Sequence, residues 1–419
     1  MVYVISKDGK PLMPCSNVIA RLLLKQGKAK VKRREPFTIK LLGETTEYKQ
    51  NLTLGVDTGS GTFAAAVSMD NGDIVYMSEV TVRNDITKKM LLRAAYRRNR
   101  RNRKTRYRKA RFLNRRNSIR KGRFSPTMQS KLQSHVKEIE YIKSILPITK
   151  TVIETGKFDT HRLKNPDITR WGYQKGPNYG FENTKAMVLN RDGYICQHCK
   201  GKRKDSRLEV HHIVYRSQGG SDEAENLITL CHTCHTELHH RKINLKQNGK
   251  VKGILKYATQ MNSIIKQLLE KYPAAIETFG YVTKANRIML EVSKEHYNDA
   301  CTIASQGNAF QIKSNLYKKK CIPKGDFQQT KGACSQQPII TDKILGFRKF
   351  DKVRYLGESY FVKGRMSTGY AVLMDIDGKK ADFSAMAKGF KTPKMKNLKR
   401  LAARSAWMVT TEEATQNIA

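Results

Sequence analysis

Two short cysteine pairs constrain the fold of this chain more than any other feature of its sequence. Cys196 and Cys199 form one Cys-x-x-Cys pair, and Cys231 and Cys234 form a second pair about thirty residues later. Four thiolates at this spacing are typical of a tetrahedral structural zinc site, in which Zn²⁺ supplies much of the folding energy of a small unit. The sequence therefore predicts a compact zinc-bound domain over residues 185–245.

Histidines and an asparagine accompany these cysteine pairs. His211 and His212 are adjacent, Asn226 follows them, and His235 and His239 are one helical turn apart. This arrangement resembles the HNH nuclease motif, a ββα-metal unit. The resemblance implies that His211, His235 and His239 bind a catalytic Mg²⁺ ion, with His212 as the general base. It also implies that Asn226 holds the loop or reaches the metal. The alternative is a zinc ribbon with incidental histidines, although a ribbon does not require a histidine pair at a strand end.

The charge of the chain indicates its class of partner. The 419 residues include 80 Lys and Arg against 36 Asp and Glu, which gives a formal net charge of +44. This excess predicts binding to nucleic acid rather than to a membrane, because the sequence has no run of about eighteen apolar residues and MVYVISKDGKPLMP does not continue as a signal peptide. We therefore expect a cytoplasmic bacterial or archaeal protein with no membrane partner.

Four residues outside the cysteine-rich segment form a second candidate site. Asp57 ends the apolar strand of NLTLGVDTGSG, Glu154 ends the strand of TKTVIETGKF, and HYNDA presents His296 and Asp299 on one face of a helix. This order of strands and helix resembles an RNase H-like fold, in which three carboxylates bind two metal ions. Asp57, Glu154 and Asp299 would then bind Mg²⁺, and His296 would orient or activate water. Two alternatives stay open: the phosphate-binding hairpin of actin-like ATPases, and a set of acids that binds no metal.

An arginine-rich segment follows the first of these strands. From Ile86 to Lys137 the chain has no Asp or Glu, and YRRNRRNRKTRYRKARF lies within this span. Arginine suits bidentate binding to phosphate, and a helix of this charge would repel itself without a polyanion. A disordered basic tail is the alternative, but the segment lies in mid-chain between strands that we assign to one domain.

The order of these motifs resembles IscB, a family of transposon-encoded RNA-guided nucleases related to the type II CRISPR effectors. KPLMP, GVDTGSG, the arginine-rich segment, VIETGKF, WGYQKGPNYG, the cysteine and histidine pairs, and HYNDA occur in that order. The resemblance implies an α/β multidomain protein with an RNase H-like (RuvC) core and an inserted ββα-metal HNH domain. It also implies an Arg-rich bridge helix, a small N-terminal α/β module and a C-terminal β-rich domain.

This architecture predicts the domain boundaries. The expected segments are a PLMP module at 1–50, RuvC part I at 51–85, the bridge helix at 86–125, RuvC part II at 126–160, a linker at 161–184, the HNH domain with its zinc knuckles at 185–245, a linker helix at 246–284, RuvC part III at 285–310, and a β domain at 311–419 that binds the target-adjacent motif.

The resemblance also implies the partners and the reaction. The phosphates of an omega guide RNA would be bound by the bridge-helix residues Arg97, Arg98, Arg100, Arg101, Arg103, Lys104, Arg106, Arg108 and Arg111. Double-stranded DNA with a short adjacent motif would be the target of a monomeric ribonucleoprotein. The HNH site would cut the guide-paired strand and the RuvC site the displaced strand. Two alternatives remain: a guide-free HNH homing or restriction-like endonuclease, and a non-catalytic RNA-binding protein.

Overall fold

The structure of the protein is a computed structural model. The described residues are 1–102, 124–156, 159–174, 176, 178–245, 248–249, 255–323, 343–383 and 392–413. They divide into two compact units: a larger one, Met1–Gly156 with Ile264–Ala419, and a smaller one, Lys157–Ser263. The predicted guide-RNA residues Arg103, Lys104, Arg106, Arg108 and Arg111 lie outside the described residues.

An N-terminal module opens the larger unit. Its elements are β1 (Val2–Ile5), β2 (Pro11–Cys15), α1 (Asn17–Lys25), β3 (Ala29–Arg34) and β4 (Phe37–Leu41). The strand order is β2-β1-β4-β3, and β1 is parallel to β4. Ser16 caps α1 by accepting a hydrogen bond from the Ile19 N–H. Gly27 adopts φ +67°, a left-handed conformation that favours glycine and lets the chain leave the helix for β3.

The central sheet of the larger unit begins with three antiparallel strands. β5 (Leu52–Asp57), β6 (Thr62–Met69) and β7 (Asp73–Thr81) are almost entirely buried, as expected of strands covered on both faces. The helices α2 (Ile86–Asn102) and α3 (Pro126–Lys143) follow, and β8 (Lys150–Glu154) then pairs in parallel with β5. Because parallel strands end at the same edge of a sheet, Asp57 and Glu154 lie side by side.

The smaller unit contains the paired cysteines. Its elements are α4 (Thr160–Lys164), α5 (Thr184–Arg191), β9 (Leu208–His212), β10 (Leu227–Cys231) and α6 (His232–His239). β9 and β10 form an antiparallel pair in which Ile228 lies opposite His211, and α6 follows β10 directly. Strand, strand and helix in this order agree with the ββα arrangement that the HNH resemblance implies.

The next described elements of the chain are three helices and three further strands of the central sheet. They are α7 (Leu255–Lys271), β11 (Ile276–Thr278), α8 (Gly280–Met289), α9 (His296–Ala304), β12 (Gln311–Ile312) and β13 (Leu316–Cys321). β11 is parallel to β8, and both β12 and β13 are parallel to β7. Gly55 lets α9 approach β5 closely, since a Cβ at this position would lie 2.4 Å from the Ala304 nitrogen.

The last strands form a separate sheet and also complete the central one. They are β14 (Lys352–Tyr355), β15 (Glu358–Arg365), β16 (Ala371–Met374), β17 (Lys399–Ala402) and β18 (Trp407–Glu412). The separate sheet has the order β16-β15-β14-β17, and β18 pairs with β13. The central sheet therefore runs β11-β8-β5-β6-β7-β13-β18. The sequence predicts a separate β domain from residue 311, whereas β12, β13 and β18 belong to the central sheet. β12 and β13 cover the edge that β7 would otherwise expose, and β18 adds to β13.

Helices cover both faces of this sheet. α9 packs on the face that carries Ala64 and Ala66. α3 lies on the opposite face, where Glu138 accepts hydrogen bonds from Tyr76 and Ser78. Among the helices that the structure describes, none is long and apolar enough to cross a bilayer.

Candidate nuclease sites

The four predicted zinc ligands converge in the smaller unit. The Sγ atoms of Cys196, Cys199, Cys231 and Cys234 all lie within 4.8 Å of one another, and none of the four cysteines is in a disulfide. Cys231 ends β10 and Cys234 lies in the first turn of α6, so one short segment supplies both ligands of the second pair. The side chains pack with Ile228 and Leu230 in the small core of this unit. The cluster is consistent with a structural zinc site.

The three predicted histidine ligands also converge. His211 on β9 faces His235 and His239 of α6, with ring centroids 4.9 and 5.1 Å away, and the ligand atoms of all three lie within 4.8 Å of one another. The Nε2 atoms of His235 and His239 are 3.2 Å apart. The His211 Nε2 atom is buried and has no hydrogen-bond partner in the described structure. Burial, together with the neighbouring histidines, lowers the pKa of His211 to about 4, which favours the neutral imidazole that ligates metals.

Glu209 orients one of these histidines and was not predicted from the sequence. Its Oε2 atom lies 2.6 Å from the His235 Nδ1 atom, which leaves Nε2 directed at the cluster. A carboxylate behind a ligating histidine is a common arrangement that fixes the ring and its tautomer. Glu209 precedes His211 by two residues in LEVHH and so shares its face of β9, a signal that could have identified it.

His212 occupies the other face of β9 from its neighbour His211. Its Nε2 atom is 2.9 Å from the Asp222 Oδ1 atom, and Arg216 Nε contacts the same oxygen at 2.6 Å. The second imidazole nitrogen, Nδ1, is then the one available to accept a proton. Asp222 lies in the irregular connection between β9 and β10, and no spacing rule in the sequence points to it.

Asn226 holds the loop between β9 and β10. It is fully buried. Its Oδ1 atom accepts a hydrogen bond from the Val214 N–H, and its Nδ2 atom donates to the carbonyl oxygens of Val214 and Ser221. These contacts use both ends of the amide, so Asn226 has the loop-holding role, and its binding to the metal stays a prediction.

The predicted carboxylates gather at one edge of the central sheet. Asp57 ends β5, Glu154 ends the adjacent parallel strand β8, and Asp299 lies in the first turn of α9. The His296 Nδ1 atom is 2.8 Å from the Asp57 Oδ2 atom. In the described chain, only the cysteine and histidine clusters bring three or more ligand atoms within 4.8 Å of one another. The oxygens of the three carboxylates therefore do not all lie within that distance.

The three acids at this edge lie close enough together, and are buried enough, for their pKa values to be raised. Burial raises the pKa of Asp57, Glu154 and Asp299, and the charges of Asp57 and Asp299 contribute to a pKa of about 7 for Glu154. The hydrogen bond to Asp57 raises the pKa of His296. Oxygen ligands that repel one another in this way suit a hard divalent cation such as Mg²⁺.

Comparisons with known proteins agree with this geometry. Residues 2–176 match the family described as RRXRR protein, and residues 196–241 match the HNH endonuclease family. The chain is similar to the type IV methyl-directed restriction enzyme EcoKMcrA of Escherichia coli strain K12, at 40% identity over 65 residues, which are 14% of this chain and 23% of that enzyme. It is also similar to Anaredoxin of a Nostoc species, at 33% identity over 72 residues, which are 17% of this chain and 91% of Anaredoxin.

These matches identify the class of protein. The chain spans less than a quarter of the restriction enzyme, so that similarity concerns one domain. The HNH match contains the four cysteines and the three clustered histidines, and the RRXRR match contains Asp57 and Glu154. An RRXRR domain followed by an HNH endonuclease domain is an IscB-like architecture, and this is the architecture of the chain.

Proposed function

We propose that this protein is an RNA-guided DNA endonuclease with two metal-dependent sites, one for each DNA strand. The observation that carries the proposal is the histidine cluster, in which the buried His211 Nε2 atom has no partner among the described residues while His235 and His239 face it. A lone pair buried without a donor is costly, and a bound cation would satisfy it. The HNH endonuclease match over residues 196–241 supports a nuclease role for this cluster.

At the HNH site, His211, His235 and His239 would hold Mg²⁺, which when bound stabilises charge on the scissile phosphate. His212 would accept the proton of the attacking water at Nδ1, since Asp222 engages its Nε2 atom. The Asp222 carboxylate then stabilises the imidazolium that forms. Asn226 keeps the loop between the strands in place.

The strand order of the central sheet supports the RNase H-like (RuvC) core. β5, β6 and β7 form an antiparallel meander, and β8 and β11 continue the sheet in parallel on the other side of β5. Asp57, Glu154 and Asp299 would hold Mg²⁺ at this edge, which when bound polarises the phosphodiester and the attacking water. His296, hydrogen-bonded to Asp57 through Nδ1, is well placed to orient that water through its other nitrogen.

RNA guidance is supported by charge and by the family. The net charge of +44 far exceeds what solubility requires, and α2 begins an arginine-rich segment in which Arg98 is exposed. An omega RNA would bind this segment, and the C-terminal strands would read the motif adjacent to the target on double-stranded DNA. The complex would act in the cytoplasm as a monomeric ribonucleoprotein.

An assay of strand-specific cleavage distinguishes the two sites. A duplex target with each strand labelled is cut in the presence of guide RNA and Mg²⁺. We expect His212→Ala to reduce cutting of the guide-paired strand by about 10²-fold or more and to leave the displaced strand unaffected. Asp57→Ala should abolish cutting of the displaced strand alone. The exposed residues His240 and Asp70 provide matched controls, as His240→Ala and Asp70→Ala.

Each outcome bears on a different part of the proposal. If His212→Ala cuts both strands at the wild-type rate, the HNH assignment is wrong. If Asp57→Ala does so, the carboxylate edge is scaffold. A protein freed of RNA that still cuts a fixed sequence would be a guide-free HNH endonuclease, and RNA binding without any metal-dependent cutting would identify a non-catalytic binder.

A further inference from the structure

The helix α8 contacts two of the three candidate carboxylates. Thr283 and Arg287 are four residues apart on α8, so they share one face of the helix. Thr283 reaches Glu154 at the end of β8, and Arg287 reaches Asp299 on α9. No motif in the sequence singles out either residue, and neither is among the predicted site residues.

Thr283 engages one oxygen of Glu154. Its hydroxyl donates a hydrogen bond to the Glu154 Oε2 atom at 2.5 Å, and the threonine is buried, with 4% exposure. The other oxygen, Oε1, faces the start of α8, where a Cβ at Gly280 would lie 3.2 Å away. The absence of a side chain at Gly280 therefore keeps space beside this oxygen.

Arg287 engages one oxygen of Asp299. Its Nε atom lies 3.1 Å from the Asp299 Oδ1 atom, and both side chains are largely buried. Its Nη1 atom donates to the Val292 carbonyl oxygen in the connection between α8 and α9. The guanidinium is thus fixed at two points, so it restricts the Asp299 rotamer and offsets part of the repulsion among the acids.

We propose that Thr283 and Arg287 are positioning residues for the carboxylate site. Each holds one oxygen of its carboxylate and leaves the second oxygen for a divalent cation. Outer contacts of this kind orient metal ligands and typically change metal affinity or activity by about 10- to 100-fold when they are removed. The inference rests on the proposed function of the carboxylate edge.

Thr283 offers a nearly isosteric test. Thr283→Val removes the hydroxyl and keeps the shape, whereas Thr283→Ser keeps the hydroxyl. Thr302→Val is the matched control, because Thr302 is a buried helical threonine whose hydroxyl bonds the Asn298 carbonyl of its own helix. Binding of Mn²⁺ to the full-length protein is followed by electron paramagnetic resonance, and the ions lost in Asp57→Ala are assigned to the carboxylate site. Displaced-strand cutting is measured against Mg²⁺ concentration, with paired-strand cutting as an internal reference.

We expect Thr283→Val to weaken Mn²⁺ binding at the carboxylate site and to slow displaced-strand cutting by about 10- to 100-fold. Thr283→Ser and Thr302→Val should resemble the wild type, and paired-strand cutting should not change. Wild-type Mn²⁺ binding and cutting in Thr283→Val would overturn the inference, as would equal losses in Thr283→Val and Thr283→Ser. If Asp57→Ala loses no Mn²⁺ and still cuts the displaced strand, the proposed function of this edge fails instead.

Discussion

His135 is a fully buried titratable residue on α3, close to the turn that follows Asp57. Its Nδ1 atom lies 2.9 Å from the Lys131 carbonyl oxygen, and the Gly59 N–H donates to its Nε2 atom at 3.4 Å. The ring stacks on Phe63, with centroids 4.0 Å apart. Burial lowers the pKa of His135 to about 4, so the imidazole is neutral at neutral pH and supports the hairpin as an acceptor.

This residue makes stability depend on pH. The unfolded chain binds a proton at His135 near its ordinary pKa of about 6.5, whereas the folded protein does so only near 4, so the stabilising contribution is lost as the pH falls through this interval. We expect the larger unit to lose about 2 kcal/mol from this group between pH 7 and pH 5. His135→Gln should reduce the difference in the free energy of unfolding between pH 7 and pH 5. Denaturant unfolding at both pH values measures this difference. An unchanged pH dependence in that variant would contradict the assignment.

At the scale of elements, a buried ion pair attaches β13 to α3. Lys319 Nζ lies 2.7 and 2.9 Å from the two carboxylate oxygens of Glu138 and 2.6 Å from the Tyr76 hydroxyl, and both charged side chains are almost fully buried. Tyr76 and Ser78 of β7 donate hydrogen bonds to the same carboxylate. Three elements, α3, β7 and β13, therefore meet at one charge network.

Breaking this pair should destabilise the larger unit. Lys319→Met leaves the Glu138 charge buried without its cation, and we expect a loss of about 3–5 kcal/mol. The double variant Lys319→Met with Glu138→Leu should recover part of this loss, because it leaves neither charge alone. Lys318→Met is the matched control: Lys318 forms an exposed pair with Glu412, so its loss should be within about 1 kcal/mol. The free energy of unfolding of the wild type and of the three variants is compared by denaturant unfolding. Equal effects of the two single lysine variants would argue against a structural role for the buried pair.

At the scale of the whole molecule, the two units depend on different sources of stability. The larger unit has an extended apolar core around the central sheet, whereas the smaller unit surrounds its cysteines with few apolar side chains. We therefore expect a unit with so small a core to need a bound zinc ion in order to fold.

Removing one zinc ligand should therefore unfold the smaller unit alone. We expect Cys196→Ser to lose zinc, to lose amide protection over residues 185–245 and to lose paired-strand cutting, while the larger unit stays protected and the displaced strand is still cut. Elemental analysis and hydrogen exchange by mass spectrometry report these changes. Cys15→Ser, in β2 and outside the cluster, is the control. Full protection of the smaller unit in zinc-free protein would show that the cluster is not structural.

Features that depend on local spacing could be predicted from the sequence. The cysteine pairs, the histidines at the end of β9 and the helical repeat of His235 and His239 are set within one short segment, so their pattern survives without knowledge of the rest of the chain. Asp57 and Glu154 were also recognisable as ends of apolar strands. The order of the motifs predicted the IscB-like architecture that the two family matches show.

The tertiary structure alone decided the contacts between distant segments. Glu154 lies beside Asp57 because β8 pairs in parallel with β5, and Lys319 meets Glu138 across 181 positions of sequence. Thr283 contacts Glu154 from a helix 129 positions away, and β12, β13 and β18 join the central sheet instead of the predicted C-terminal domain. The reason is that the apolar pattern of a strand or helix predicts which of its faces is buried, but not which other element packs against that face. That choice is made by packing and charge pairing summed over the whole unit.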